Sequence, residues 1–180
     1  AGSTAGVPIE RLLAMASSIE HRGPDERGLY RDDRAGLVHT RLSIIDLSSG
    51  QQPLSNEDDT IYVVFNGEIF NYVELREELL ALGHRFRTKS DTEVIVHAYE
   101  SWGERAFERF NGQFAIGLWD VTKKRLVLAR DRFGVRPVHF ARHDGYVYFA
   151  SEAKAIFAAD ASISRAFDPL GLDETFTFWA

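Results

Sequence analysis

The 180-residue chain contains no cysteine. Disulfides, thiolate metal sites and a cysteine nucleophile within the chain are thereby excluded. Positive charge is also short: 21 Lys and Arg against 27 Asp and Glu leave a net charge of −6. That argues against a basic nucleic-acid interface, and no basic stripe interleaves with aromatics. No apolar run approaches the roughly 20 residues needed to span a bilayer, and no leader pattern opens the chain. The expectation is a soluble cytoplasmic protein with neither nucleic acid nor membrane as a partner. Without cysteine, the six histidines at positions 21, 39, 84, 97, 139 and 143 give a zinc site little support, so no metal is expected. There is no G-x-x-x-x-G-K-[ST] loop for nucleotide phosphates and no G-x-S-x-G elbow for a serine hydrolase. The paired carboxylates Asp32-Asp33 and Asp58-Asp59 fall in turns and read as solvated.

What the chain does contain is core: 44% hydrophobic and 12% aromatic residues, enough for one domain with a substantial interior. The rest is read around Thr60–Asn71, TIYVVFNGEIFN. Ile61, Val63 and Phe65 alternate with Tyr62 and Val64, which suits a strand buried on both faces. Asn66-Gly67 then reads as a turn, because both residues tolerate positive φ. An amide side chain beside an exposed backbone N–H there could stabilise an oxyanion; a plain hairpin turn is the alternative.

Ahead of that stretch, the small residues 1–7 read as a flexible lead-in. A helix is expected from Pro8 through Ile19, stopped by Gly23-Pro24. Gly28–Arg31 and Gly36–His39 read as a hairpin, residues 41–47 as extended chain, and Ser48–Glu57 as a polar loop. Arg41 is open to two readings, an edge-strand charge or a bidentate carboxylate clamp. Beyond it, Tyr72–Leu82 is a helix closed by Gly83, and Phe86 falls in a short strand. Ser90–Glu93 matches a capping box, and Asp91 suits either a helix first turn or a ligand ammonium. Phe107 and Phe110 suggest a short helix. Two hairpins follow, Gln113–Asp120 with Arg125–Arg130 and Val138–Arg142 with Tyr146–Ala150, then a helix over Glu152–Phe157. The tail from Ala158 to Ala180 reads as irregular and aromatic. Strands interrupted by helices suit an α+β arrangement of two stacked antiparallel sheets covered by helices.

Seven stretches then occur in one order: HRGPD at 21–25, HTRLSIIDL at 39–47, QPLSNED at 52–58, VVFNGEIFNY at 64–72, KSDTEVIVHAY at 89–99, ARDRFGVRP at 129–137 and ASEAKAI at 150–156. In this series the chain resembles the N-terminal glutaminase domain of glutamine-hydrolysing asparagine synthetases. These are class II glutamine amidotransferases with an N-terminal-nucleophile hydrolase fold. The resemblance implies a four-layer αββα sandwich, two antiparallel sheets between helices, forming a single glutaminase-type domain over residues 1–180. It implies hydrolysis of the glutamine side-chain amide and passage of ammonia to a second, synthetase domain, toward which residues 158–180 lead. No cofactor belongs to the first domain; ATP and Mg belong to the second. A homodimer is a further expectation.

By the same resemblance, Arg41 holds the α-carboxylate of glutamine and Asp91 its α-ammonium. Asn66 and Gly67 form the oxyanion hole, Glu68 helps hold the substrate, and backbone at Leu42, Ile44 and Ile45 lines the pocket. The chain departs from the family at the nucleophile, an N-terminal cysteine on the first strand. The chain begins Ala1-Gly2-Ser3-Thr4 instead. The expectation is that the cysteine strand lies outside this chain, that Ser3 and Thr4 are no substitute, and that the chain as given is inactive. Two alternatives remain: a non-catalytic glutamine-binding or interaction module, and an amidotransferase domain serving a different acceptor.

Overall fold

The computed structural model describes residues 1–4, 6–41 and 50–178. In chain order the elements are β1 Gly2–Thr4, α1 Ile9–Ser18, β2 Glu26–Arg31, β3 Ala35–Arg41, β4 Leu54–Ser55, β5 Ile61–Ile69, α2 Tyr72–Ala81, α3 Asp91–Trp102, α4 Ala106–Arg109, β6 Gly112–Asp120, β7 Arg125–Arg130, β8 His139–His143, β9 Tyr146–Ala150, α5 Ala153–Ala159 and α6 Pro169–Phe178. The strands form two antiparallel sheets, ordered β2-β3-β1-β9-β8 and β4-β5-β6-β7.

Strand alternation explains the layering. In β5, Ile61, Val63 and Phe65 join the core beneath α2 and α3, whereas Val64 and Tyr62 face the other sheet. In β3, Val38 packs under α1 and α5, and Ala35 and Leu37 face inward to meet Val64, Trp119 and Phe149. A residue pattern of period two therefore builds a helix-side core and a sheet-to-sheet core at once. On α1, Leu12, Met15, Ala16 and Ile19 carry the helical repeat into the interior and are buried. The result is the expected α+β order of helix, sheet, sheet and helix. The two sheets meet most closely where Gly117 faces Phe149; a Cβ at Gly117 would stand 2.3 Å from the ring.

Several elements differ from the sequence reading. The strand does not turn at Asn66-Gly67. β5 runs on to Ile69 and pairs with β6 along its whole length, from Ile61 opposite Asp120 to Ile69 opposite Gly112. Gly67 has φ +149° inside that ladder, and a Cβ there would lie 2.0 Å from the Gln113 carbonyl oxygen. The glycine serves close approach of the neighbouring strand, not a hairpin.

Residues 2–4 are not a loose lead-in. They are β1, the middle strand of the five-stranded sheet, hydrogen-bonded between β3 and β9. Phe86 lies in a connection without strand pairing, edge-on to His97. The polar loop includes the short strand β4, and the tail includes helix α6. The extended reading of residues 42–47, with Leu42, Ile44 and Ile45, lies outside the described residues. No helix among the described residues is long and apolar enough to cross a membrane.

Candidate functional site

Asn66 sits midway along β5, opposite Ala115 of β6. Its side-chain Nδ2 is buried and has no hydrogen-bond partner. A buried amide N–H without an acceptor costs roughly 1–3 kcal/mol, so most folds eliminate it. Asn66 lines a cavity of about 90 Å³ together with Ala1, His39, Phe65, Arg22 and Ser151. Ala1 is fixed there by its backbone. Its N–H group donates to the Val38 carbonyl at 2.8 Å, and burial pulls the amine down to about 5.

A second cavity, of about 360 Å³, is lined by Glu26, His39, Arg41, Gln52 and Pro53 among others. His39 is common to both cavities. Its Nε2 lies 3.2 Å from the Phe65 carbonyl oxygen. A carbonyl can only accept, so Nε2 carries the proton and Nδ1 is left a bare acceptor, buried and unpartnered. Burial, and after it the nearby chain-terminal ammonium, holds this histidine down to about 4. It is a neutral polar partition between the two spaces.

Arg41, at the end of β3, is almost fully buried. Its Nη1 donates to Glu26 Oε2 at 3.0 Å, across the β2–β3 ladder. Gln52, on the same cavity, takes the Phe65 N–H at 2.6 Å on Oε1 and reaches Thr92 Oγ1 at 3.4 Å with Nε2. Thr92 adjoins Asp91 in the first turn of α3. Gln52 therefore ties the arginine cavity to the strand carrying Asn66 and to the helix end carrying Asp91.

Asp91 accepts the Ile69 N–H at 3.0 Å on Oδ2. Among the described residues no cation lies within ion-pair distance of it. Burial, and to a lesser degree the charge of Glu68, hold its carboxyl above the ordinary value. The capping box at this helix end is half made. Ser90 Oγ accepts the Thr92 N–H at 3.2 Å, while Glu93 turns away to accept the N–H groups of Arg87 and Thr88.

The site residues read from sequence are thus brought onto neighbouring stretches of β3, β5 and α3. Arg41 lines the larger cavity and Asn66 the smaller one; Asp91, Gly67 and Glu68 line neither. Leu42, Ile44 and Ile45 fall outside the described residues. Sequence reasoning missed His39 and Gln52 as site residues. The signal lay in their motifs, HTRL and QPLS, but only the fold puts them on the cavity walls.

The other motif segments frame this region. Glu152 Oε1 receives His21 Nε2 at 3.0 Å and Arg22 Nη1 at 3.1 Å, which draws HRGPD against ASEAKAI at the cavity edge. Asp131 accepts backbone N–H groups from Phe114, Phe133, Val135 and Arg136, which fixes the turn leading to the cavity residues Pro137 and Val138. Ser3 and Thr4 are committed elsewhere. Ser3 Oγ donates to the Thr4 carbonyl, Thr4 Oγ1 accepts the Val147 N–H, and neither lines the cavity.

Two antiparallel sheets thus pack face to face between helices, and Asn66 of β5 and Ala1 ahead of β1 line the same small cavity. Residues 3–180 match the glutamine amidotransferase domain family, and the chain belongs to it. Asparagine synthetase (glutamine-hydrolyzing) 1 of Bacillus subtilis is 46% identical over 154 residues, 86% of this chain and 24% of that protein. Asparagine synthetase (glutamine-hydrolyzing) 3 of Arabidopsis thaliana is 46% identical over 147 residues, 81% and 25% of the two chains. The chain spans about a quarter of the length of these curated relatives. Among solved structures, glutamine phosphoribosylpyrophosphate amidotransferase from B. subtilis superposes with a TM-score of 0.73 at 18% identity, over 88% of this chain and 42% of that one. That likeness is one of fold.

Proposed function

We propose that the two adjoining cavities hold one molecule of free glutamine. The side-chain carboxamide occupies the small cavity, with its oxygen toward Asn66 Nδ2 and the Gly67 backbone. The α-carbon end lies in the larger cavity, with its carboxylate on Arg41 and its ammonium toward Asp91. Glu68 assists at that end, and the resemblance assigns Leu42, Ile44 and Ile45, which lie outside the described residues, to the same pocket. The observation that carries this reading is the orphaned Nδ2 of Asn66 on a cavity wall. An unpartnered donor is what stabilisation of an oxyanion requires. The half-buried carboxyl of Asp91, with no ion-pair partner among the described residues, supports the ammonium assignment, because a cation there would relieve it.

In this reading the domain is the glutaminase part of an asparagine-synthetase-like enzyme. Ammonia released here amidates aspartate in a separate synthetase domain that uses ATP and Mg, in a cytoplasmic homodimer. The names of the relatives support that wider reading. The residues given hold no cysteine and so no sulfur to attack the amide. The chain as given therefore binds glutamine without releasing ammonia. Titration calorimetry with glutamine, glutamate and asparagine tests this. Saturable binding of glutamine in preference to the other two supports the pocket; no binding of any of them overturns it. The lack of cysteine is the observation behind a second reading, a glutamine-binding module with no catalytic role, which a longer chain carrying the family's N-terminal cysteine strand separates from the first.

A further inference from the structure

Four side chains from three separate segments converge at a place apart from both cavities. Glu57 lies in the turn between β4 and β5, His84 in the connection after α2, and His97 and Glu100 one turn apart on α3. One ligand atom from each lies within 4.8 Å of all the others. His97 Nδ1 is 3.4 Å from Glu57 Oε2 and 3.7 Å from Glu100 Oε2. His84 Nδ1 is 3.5 Å from Glu100 Oε2 and 4.0 Å from Glu57 Oε1. A zinc ion takes nitrogen and oxygen ligands at about 2.0–2.2 Å in a tetrahedron, which sets the ligand-to-ligand edges at roughly 3.3–3.5 Å. The four distances, 3.4–4.0 Å, are close to but mostly longer than those edges, with Glu57 presenting a different oxygen to each histidine.

His97 supplies the second observation. Its side chain is fully buried, and neither ring nitrogen has a hydrogen-bond partner. Two unsatisfied polar atoms on one interior imidazole are costly, and the distances to the carboxylates exceed hydrogen-bonding length. Nδ1 faces Glu57 and Glu100. Nε2 faces Glu93 Oε1 at 3.6 Å, and Glu93 is itself anchored by the Arg87 N–H at 2.7 Å and by the Thr88 N–H at 2.7 Å. That is the carboxylate–imidazole order that orients a metal-bound histidine. His84 is arranged likewise: its Nε2 is engaged with Ser101 Oγ at 2.6 Å, which leaves Nδ1 to the cluster. By contrast, His143, Asp144 and Asp160 also approach one another, but His143 Nε2 already pairs with Ser162 Oγ at 2.8 Å.

We propose that Glu57, His84, His97 and Glu100 bind one zinc ion. Two imidazoles favour zinc over magnesium or calcium, and four protein ligands leave no open position, so the site is structural. The ion ties α3 to the turn before β5 and to the connection after α2, and thereby fixes the helix whose first residue is Asp91. Sequence spacing hides this set, because its ligands are scattered over residues 57 to 100.

The test is titration of the chelator-treated wild-type chain with zinc chloride, followed by calorimetry and by thermal melting, with magnesium chloride as the comparison. The expected result is one zinc per chain, a raised melting temperature, no response to magnesium, and tetrahedral visible bands when cobalt replaces zinc. Because His97 variants are at risk of misfolding, the informative variants are Glu100→Gln and His84→Gln, which alter ligands at the outer side of the cluster. Each weakens zinc binding by at least about tenfold, while His143→Gln leaves it unchanged. No stoichiometric binding, or binding that survives Glu100→Gln and His84→Gln, or binding lost in His143→Gln, overturns the proposal.

Discussion

Glu26 and Arg41 face each other across the β2–β3 ladder, with Glu26 Oε2 accepting from Arg41 Nη1 at 3.0 Å. The pair holds a guanidinium at the wall of the larger cavity, almost fully removed from water. A buried cation of this kind is costly to strand and strong when a carboxylate meets it in two-pronged geometry. Arg41→Ala is therefore expected to weaken glutamine binding by about 2–5 kcal/mol, which amounts to loss of detectable binding. Calorimetry on the folded variant checks this, and unchanged affinity removes Arg41 from the clamp.

The orphaned amide of Asn66 separates function from stability. Since Nδ2 makes no hydrogen bond, Asn66→Ala removes a buried, unsatisfied donor. The melting temperature is expected to stay level or rise. In a longer chain that carries the N-terminal cysteine strand, the same substitution should slow glutamine hydrolysis by about 10²–10³. A variant that loses stability while keeping its rate would mean that Nδ2 has a structural partner and no oxyanion role.

Gly67 gives a purely conformational prediction. At φ +149° and with the Gln113 carbonyl at 2.0 Å from any Cβ, alanine fits neither the backbone nor the space. Gly67→Ala should destabilise the domain by roughly 1–3 kcal/mol in urea titration, with the loss traced to the β5–β6 pairing. A neutral outcome would contradict the close strand approach.

Asp131 sets part of the acid limb of stability. Burial pushes its carboxyl upward, but the N–H groups of Val135, Arg136, Phe114 and Phe133 outweigh that and hold it down to about 2. Its folded value is below the unfolded one, so the unfolded chain takes up the proton first. The stabilisation is complete above about pH 4 and is lost as the pH falls from there toward 2. Asp131→Asn should lower neutral-pH stability and flatten this part of the acid-unfolding curve. If wild type and variant show parallel curves between those pH values, the N–H cluster is not the cause.

These predictions also mark how far the sequence could be read. Alternation located β5, and apolar runs on either side of turn signals located β6, β7 and β9. Asp144-Gly145 marked its hairpin, and both residues have positive φ in the turn. Asn66-Gly67 carries the same local signal but lies within a nine-residue ladder. Tertiary pairing with β6 overrode a turn preference that needs no more than two residues to express. Gly2–Thr4 was illegible for a related reason: small residues have little strand preference of their own, and position between β3 and β9 makes them a strand. Arg41, Asn66 and Asp91 were found through ordered motifs. His39 and Gln52 were not, since their roles come from the cavities on either side of them. The cluster around His97 was hidden because its ligands come from segments that meet only in the folded chain.

The central claim is that this cavity is a glutaminase pocket. A longer chain that carries the family's N-terminal cysteine strand ahead of Ala1 tests it most directly through ammonia release from glutamine. The account predicts that the longer chain releases ammonia, and that Asn66→Ala within it suppresses the release by about 10²–10³. A correctly folded longer chain that frees no ammonia from glutamine would contradict the account.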